Sequence, residues 1–376
     1  MRVYLDWAAT APRDTDILVE YARLSAEYWA NPSSRHAEGR KSREFLEDAR
    51  RRCAQILKVQ SNQLYFTSGG TESNHLPILS LLTRPTHGSI ATSILEHPSI
   101  IEQLKAMEAT GWHTRVIPST EEGHITSDAV CASLAEDTAL VLVQAVNNET
   151  GAIQDTASIA RALMINRNGK RKPHFHVDAV QAIGKIDFFC NEPGIDSASL
   201  SAHKIGGLPG SGLLYIAKKT EAFLRGGGQE GGLRSGTEDV AAAGALALAL
   251  EKAQKGPEKI RSISSVLYSI LTDIPNLHFV PSTREHLDPR FSPAIYQCAI
   301  DGIPGEVAVR MLDEAGCAVS TGSACSSRKN KRPVLEAMRI NPETRQNAFR
   351  ISIGETTSHE QLSFLGQALK EISRSN

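Results

Sequence analysis

The stretch Ala139-Leu140-Val141-Leu142-Val143-Gln144-Ala145 is a continuous apolar run with a single polar residue. Such a run is typical of a strand that helices cover on both faces of a parallel sheet. Shorter strand-like runs lie on both sides of it, at 63–67, 89–93, 175–177, 197–201 and 213–216. Helical stretches separate several of these runs, at 71–82, 98–109 and 153–165. The alternation of strand and helix predicts an α/β domain with a mostly parallel sheet.

The pattern changes after Lys255-Gly256-Pro257, where glycine and proline interrupt a long helical stretch. The segments that follow alternate between helix and strand at 294–300, 305–315, 348–353 and 358–372. This order predicts a smaller α+β domain. Two further helical stretches, 14–29 and 37–57, precede the α/β pattern. We therefore expect a large domain at 14–256 and a small domain made of 1–13 and 257–376.

Composition excludes several classes of protein. The 376 residues include 41 Lys and Arg against 42 Asp and Glu, so no basic excess favours nucleic-acid binding. No apolar run approaches the roughly 20 residues of a bilayer span, and the N-terminal MRVYLDWAATAP has no apolar signal core. The six cysteines are too sparse for a disulfide scaffold and lack zinc-ligand spacing. A soluble, cytoplasmic protein is expected.

Two charged residues follow predicted strands. Lys204, in Ser-Ala-His-Lys, ends one strand region, where it either starts a surface loop or forms a Schiff base with a carbonyl or pyridoxal phosphate (PLP). Asp178, in His-Val-Asp-Ala-Val-Gln, ends another strand, where it either caps a helix or holds a proton on a pyridine nitrogen. The carboxyl ends of parallel strands meet at one edge of a sheet, so the two side chains are expected to lie together.

Two more strand-to-helix junctions carry suitable chemistry. The run 67–73 (TSGGTES) places two glycines before a helix, whose first amides bind an anion such as phosphate; a capped tight turn is the alternative. His97, in Leu-Glu-His-Pro, either stacks on an aromatic cofactor and moves protons or merely caps a helix.

A fifth motif, 320–331 (STGSACSSRKNK), is small, polar and basic, which is typical of an exposed loop. Its cysteine, Cys325, is therefore accessible, and the neighbouring cations favour its thiolate. Cys190, Cys298 and Cys317 stand among apolar residues and are expected to be structural.

Taken together, SGGTES, LEHPSI, NNETG, HVDAVQ, SAHK, RSGT and STGSACSS occur in the order seen in the NifS-like cysteine desulfurases, a group of the class V aminotransferase family. The resemblance extends from YLDWAAT to FRISIG and implies a PLP-dependent transferase fold of type I. SAHK is typical of the broader family, whereas the GSAC loop is specific to the desulfurases. The stretch GGGQEGG lacks a histidine often found there, and Val180 replaces the threonine of some relatives.

The resemblance assigns a role to each matching residue. Lys204 would carry PLP as a Schiff base, His97 would stack on the ring as acid/base, and Cys325 would be the nucleophile. The remaining cofactor contacts would come from Gly70, Thr71, Asn148, Asp178, Gln181, Ser201, His203 and Thr237. Of these, Thr237 would reach the phosphate of the other subunit of a homodimer. Arg350 and Asn31 would bind the substrate α-carboxylate.

The implied reaction converts L-cysteine to L-alanine and leaves a persulfide on Cys325 for an acceptor protein. The acceptor is expected to be an iron–sulfur scaffold, a tRNA-thiolation protein or a pathway-specific carrier. The choice among these stays open, because the chain ends at Asn376 without the longer tail of many scaffold-docking relatives. No metal is expected in the isolated chain, although Cys325 could ligate a cluster shared with a scaffold. The alternatives are a selenocysteine lyase, another class V aminotransferase without a persulfide, or a binding module that has lost the chemistry.

Overall fold

The fold is that of a computed structural model, which describes residues 1–165, 171–322 and 332–374. Its strands are β1 Val3–Tyr4, β2 Leu64–Thr67, β3 Ser89–Ser93, β4 His113–Ile117, β5 Thr138–Gln144, β6 His174–Asp178, β7 Ser197–Ser201, β8 Gly212–Ile216, β9 Leu277–Phe279, β10 Ile295–Ile300, β11 Cys317–Ala318 and β12 Ala348–Ser352. Its helices are α1 Thr15–Glu27, α2 Ala37–Leu57, α3 Gly70–Leu79, α4 Pro98–Glu108, α5 Ser127–Ser133, α6 Thr156–Ile165, α7 Val240–Ala253, α8 Gly256–Thr272, α9 Gly305–Glu314, α10 Pro333–Ala337, α11 Pro342–Asn347 and α12 His359–Arg374.

A seven-stranded sheet in the order β2-β8-β7-β6-β5-β3-β4 forms the centre of the molecule. The five strands from β7 to β4 are parallel, and β8 runs antiparallel to both of its neighbours. Every residue of β5 is buried, as its apolar sequence predicts. The prediction of an α/β fold with a mostly parallel sheet is therefore confirmed. Strand β4 was not predicted, because this edge strand exposes His113, Arg115 and Val116 and lacks an apolar signature.

The predicted helices agree with the structure except at some ends, while the short helices α5, α10 and α11 were not predicted. The predicted helix 153–165 begins only at Thr156, because Ile153 pairs with Val146 in a β-bridge and Asp155 Oδ1 accepts from Ser158 N at 2.9 Å. The predicted helix 71–82 ends at Leu79 and continues as a turn of 3₁₀ helix. The predicted start at 153 and the predicted end at 82 were therefore wrong. At these positions local contacts or a 3₁₀ turn replace the regular hydrogen bonds of the α-helix.

The second part of the fold is a smaller α+β layer. Strands β12, β10 and β9 form an antiparallel sheet, and α8, α9 and α12 pack on or beside it. Strand β1 joins this part by pairing in parallel with β11. The chain thus has the predicted larger and smaller parts, while the boundaries 14–256 and 1–13 with 257–376 stay a prediction. Among the described helices, none is both long and apolar enough to cross a membrane.

Candidate active site

Lys204 lies just beyond the carboxyl end of β7, in a turn of 3₁₀ helix. Its Nζ donates to the backbone oxygens of Ala8 and Ala9, both at 2.7 Å. Burial lowers the Lys204 pKa to about 8, the positive charge of Arg350 acts in the same direction, and Asp178 opposes both. An amine with this pKa is partly neutral near pH 7, which is the form that attacks a carbonyl carbon.

Asp178 ends β6, the parallel neighbour of β7. Its Oδ2 accepts from Asn74 Nδ2 at 2.8 Å, and its Oδ1 accepts from Val180 N at 3.0 Å. The amide oxygen of Asn74 lies 3.0 Å from Nε2 of His176, a ring whose pKa burial lowers to about 3. The neutral His176 and Asn74 therefore hold the carboxylate in one orientation. The residues after Asp178 form turns and not an α-helix. The alternative that Asp178 caps a helix therefore accounts only for its bond from Val180 N.

Asn74 and His176 were missed at the level of sequence. The signal for His176 is its position two residues before Asp178, because residues i and i+2 of a strand point to the same face. Asn74 carries no comparable signal, since it is one polar residue inside the predicted helix 71–82.

His97 is the N-cap of α4, where its Nδ1 accepts from Ser99 N at 3.1 Å. Accepting through Nδ1 leaves Nε2 as the protonated nitrogen of the neutral ring. Although His97 is exposed, surrounding protein atoms partly desolvate the ring and lower its pKa; Asp178 acts in the opposite direction and Lys204 in the same one. The capping role of His97 is therefore confirmed, whereas stacking on a cofactor stays a prediction for a residue that lies near Asp178 and Lys204.

Gly69 and Gly70 form a closely packed glycine cradle at the start of α3. Gly69 is the N-cap with φ 143°, in the region that favours glycine, and α3 begins at Gly70. A Cβ on Gly70 would lie 2.6 Å from Val180 Cγ2, and one on Gly69 would lie 3.8 Å from Ser201 Oγ. The start of α3 thus lies beside Ser201 at the end of β7, while a phosphate-binding role for this helix start stays a prediction.

His203 lies between this cradle and the N-terminal segment. Its Nδ1 is 3.2 Å from Thr10 Oγ1. Burial lowers the pKa of His203 to about 4, and the charges of Lys204 and Lys185 act in the same direction. At neutral pH the ring is uncharged and serves as a hydrogen-bonding group.

Arg350 joins three separate segments from its place in β12. Its Nη1 donates to the backbone oxygens of Asn148 and Gly322, both at 2.6 Å, and its Nη2 donates to Asp6 Oδ1 at 2.6 Å. Gly322 is the last described residue before 323–331, so Arg350 lies where the predicted nucleophile loop begins. Gln181 contacts the N-terminal segment that also contains Asp6, since its Nε2 donates to Ala8 O at 2.8 Å.

The assigned roles of the site residues stay predictions, and three of these residues lie apart from the contacts described above or outside the described residues. Asn31 lies in a turn before α2, where its Oδ1 accepts from Ser33 N at 2.8 Å, and Thr237 is exposed before α7. Cys325 lies outside the described residues. The cysteines predicted to be structural are buried, and burial raises the pKa of Cys190 and Cys298 to about 12. In the described part of the chain, no group of three His, Cys, Asp or Glu residues could hold a metal ion.

Comparison with known proteins agrees with this arrangement. The class V aminotransferase family pattern matches residues 3–365. A NifS/IcsS protein homolog from Lactobacillus delbrueckii is 35% identical over 98% of this chain and 97% of its own length. The cysteine desulfurase IscS of Dictyoglomus turgidum is 33% identical over 98% of this chain and 94% of its own. A solved NifS-like protein superposes with a TM-score of 0.89 at 31% identity, covering both chains completely.

The chain therefore belongs to the class V aminotransferase family. Within that family it falls among the NifS- and IscS-like cysteine desulfurases, which depend on PLP. The described residues fit this cofactor: a fixed buried carboxylate, an amine of lowered pKa and a glycine cradle at a helix start lie at one edge of the sheet.

Proposed function

We propose that the chain transfers sulfur from L-cysteine to its own Cys325, with PLP held on Lys204. The carbon–sulfur bond of cysteine breaks, a sulfur–sulfur bond forms on Cys325, and L-alanine leaves with the proton that balances the exchange. The observation that carries this proposal is the placement of Asp178 and Lys204 at the carboxyl ends of the neighbouring strands β6 and β7, beside the Gly69–Gly70 cradle. That arrangement matches what PLP chemistry requires.

When bound, PLP supplies an electron sink that withdraws electrons from the substrate's α-carbon. Asp178 keeps a proton on the pyridine nitrogen, and its two hydrogen bonds stop it from rotating away. Lys204, whose pKa is about 8, takes up and returns a proton at the α-carbon. Gln181 and Asn148 would donate to the phenolic oxygen, and His97 would stack on the ring and move a further proton.

The phosphate of the cofactor is assigned to the cradle. Backbone amides at Gly70 and Thr71, together with Ser201 and His203, would bind it, and the close packing of Gly69 and Gly70 at the start of α3 supports this assignment. Thr237 of a second subunit completes the set, so a homodimer is the proposed active form. Arg350 and Asn31 would bind the substrate carboxylate.

The persulfide sulfur passes to an acceptor protein, such as a component of iron–sulfur cluster assembly or a tRNA-thiolation carrier. The relatives named IscS support an assignment to sulfur delivery. A cytoplasmic site of action is proposed with it. The competing functions are a selenocysteine lyase or another class V aminotransferase, neither of which needs sulfur to remain on the protein.

The test is mass spectrometry of the intact protein after brief incubation with L-cysteine and no reductant. We expect a gain of one sulfur atom that maps to Cys325 and is absent from Cys325→Ser. Alanine without protein-bound sulfur would support the lyase, and full sulfide release by Cys325→Ser would exclude the persulfide. Neither product, in a protein that binds PLP, would exclude the desulfurase activity.

A further inference from the structure

Lys185 is a buried lysine that the proposed reaction does not use. It lies four residues after Gln181 and seven after Asp178, and it is 4% exposed. Its Nζ donates to Oε1 of Gln181. Burying an amine with few partners is costly, so such a residue is unexpected unless it serves a purpose. Burial and the nearby charges of Lys204 and Arg350 lower the pKa of Lys185 well below its ordinary value.

The hydrogen bonds of Lys185 connect it to the cofactor lysine through one amide group. Gln181 Oε1 accepts from Lys185, while Gln181 Nε2 donates to Ala8 O at 2.8 Å. The same Ala8 oxygen accepts from Lys204 Nζ at 2.7 Å. The two amines therefore lie at opposite ends of a short path that passes through Gln181 and a single backbone oxygen.

This arrangement allows only one orientation of the Gln181 amide. A carbonyl oxygen such as that of Ala8 accepts hydrogen bonds and cannot donate them, so it requires the nitrogen end of the amide. Lys185 carries N–H donors whether or not it is protonated, and the oxygen end of the amide accepts from it. Rotating the amide by half a turn would break both bonds. One N–H of Gln181 is used on Ala8, which leaves the second for another acceptor.

We propose that Lys185 is a positioning residue that fixes the Gln181 amide with its nitrogen toward the cofactor side. This inference rests on the PLP site proposed above, in which that second N–H donates to the phenolic oxygen. Without Lys185 the Gln181 amide is held only through its nitrogen, by Ala8 O. It can then rotate and present its own oxygen to the phenolic oxygen. Such an approach is repulsive, and it removes the donor that stabilises the phenolate form.

Space around Lys185 permits a matched substitution. Lys185 and Lys204 both line a cavity of about 360 Å³, together with Gly184 and Asp14. Methionine has nearly the length of lysine and no hydrogen-bond donor, so Lys185→Met removes the bond without overfilling the region. Arginine keeps N–H donors that can reach the Gln181 oxygen, so Lys185→Arg serves as the conservative control.

The experiment follows the visible absorption band of PLP bound to the holoenzyme, without substrate, as pH is varied. We expect Lys185→Met to shift the titration midpoint in the same direction as Gln181→Leu and by at least half as much. The double variant should add nothing to Gln181→Leu alone, because both changes remove the same donor. Lys185→Arg should return the midpoint toward that of the unsubstituted protein.

A purely structural lysine would give a different result. Lys185→Met would then change the melting temperature while the absorption band and its titration stayed as in the unsubstituted holoenzyme, and the proposal would be wrong. If Lys185→Met yields no folded protein, Lys185→Gln carries the same comparison, since its shorter side chain cannot keep the bond. Failure of the unsubstituted protein to bind PLP would instead contradict the proposed function.

Discussion

Arg350 donates from Nη2 to Oδ1 of Asp6 at 2.6 Å, which joins two residues that are 344 positions apart in the chain. The guanidinium is nearly buried, and its Nε has no hydrogen-bond partner within the described residues. Arg350 is therefore held in place while its buried Nε–H is left unused by the described residues. A substrate carboxylate that binds there meets an arginine whose charge Asp6 already partly neutralises.

This pairing predicts opposite effects of two substitutions on the KM for L-cysteine. Arg350→Lys should raise KM about 10-fold or more, because a point charge cannot replace a fixed planar donor set. Asp6→Asn keeps a hydrogen-bond acceptor but removes the competing charge, so KM should fall by about 2- to 5-fold. Steady-state kinetics measure both. A higher KM in Asp6→Asn would show that Asp6 serves to orient Arg350 and does not compete with the substrate.

The lowered pKa of Lys204 predicts how the protein without cofactor takes up PLP. Only the neutral amine attacks the aldehyde, so the attachment rate should rise about 10-fold per pH unit below the pKa of about 8 and level off above it. Rapid-mixing absorbance measurements follow this rate. Asp178→Asn removes a charge that raises the Lys204 pKa, so its profile should level off at lower pH. A rate that climbs steadily to about pH 10, the ordinary range of a lysine, would contradict the lowered pKa.

Substitution of Asp178 should separate cofactor binding from turnover. Asp178→Ala is expected to retain some PLP but to lose at least about 100-fold in kcat, because an unprotonated pyridine is a poor electron sink. Asn74→Ala, which removes one of the two bonds that orient Asp178, should have a smaller effect of about 10-fold. Bound PLP is measured by absorbance after release and turnover by alanine formation. Near-normal turnover in Asp178→Ala would exclude the assigned role.

Glu96 predicts a pH dependence of stability. Burial raises its pKa to about 8, its Oε1 accepts from Gln144 N at 2.8 Å, and its Oε2 has no hydrogen-bond partner in the described structure. The folded state thus holds this proton more tightly than the unfolded state. The stability that follows is fully present below the unfolded pKa of about 4.5 and is lost as pH rises through about 8.

Glu96→Gln removes the ionisable carboxyl group, so the stability of this variant should depend less on pH. From pH 6 to pH 9, its melting temperature should fall by about 2–4 °C less than that of the unsubstituted protein. Thermal melting followed by circular dichroism at the two pH values measures the difference. The neighbouring His97 and its cap on α4 are left in place by this substitution. Equal losses in both proteins would show that Glu96 does not ionise in this range.

Sequence reasoning found the residues that stand directly at strand ends. Asp178 and Lys204 were predictable because periodicity locates the strands, and parallel strands bring their carboxyl ends to one edge. Ala8 and Ala9 were not, because a backbone oxygen has no sequence signature. Lys185 was also missed, since nothing local distinguishes a buried lysine in a turn from an exposed one. Such contacts depend on distant segments meeting, which periodicity does not report.

The position of β1 beside β11 has a consequence for how the protein is made. Residues 3–9 leave the ribosome long before their partners Ala318 and Ser352, so these bonds cannot form while the chain between them is still growing. Until they form, the Ala8 and Ala9 oxygens are held beside the Lys204 amine only by contacts within the larger part of the fold, such as Ala11 N to His203 O at 2.8 Å and Gln181 Nε2 to Ala8 O at 2.8 Å. A nascent chain that already contains every residue of the central sheet would still lack Arg350, which lies in β12 and donates to Asp6 and Asn148. Completion of the site is thereby deferred until β12 has been synthesised.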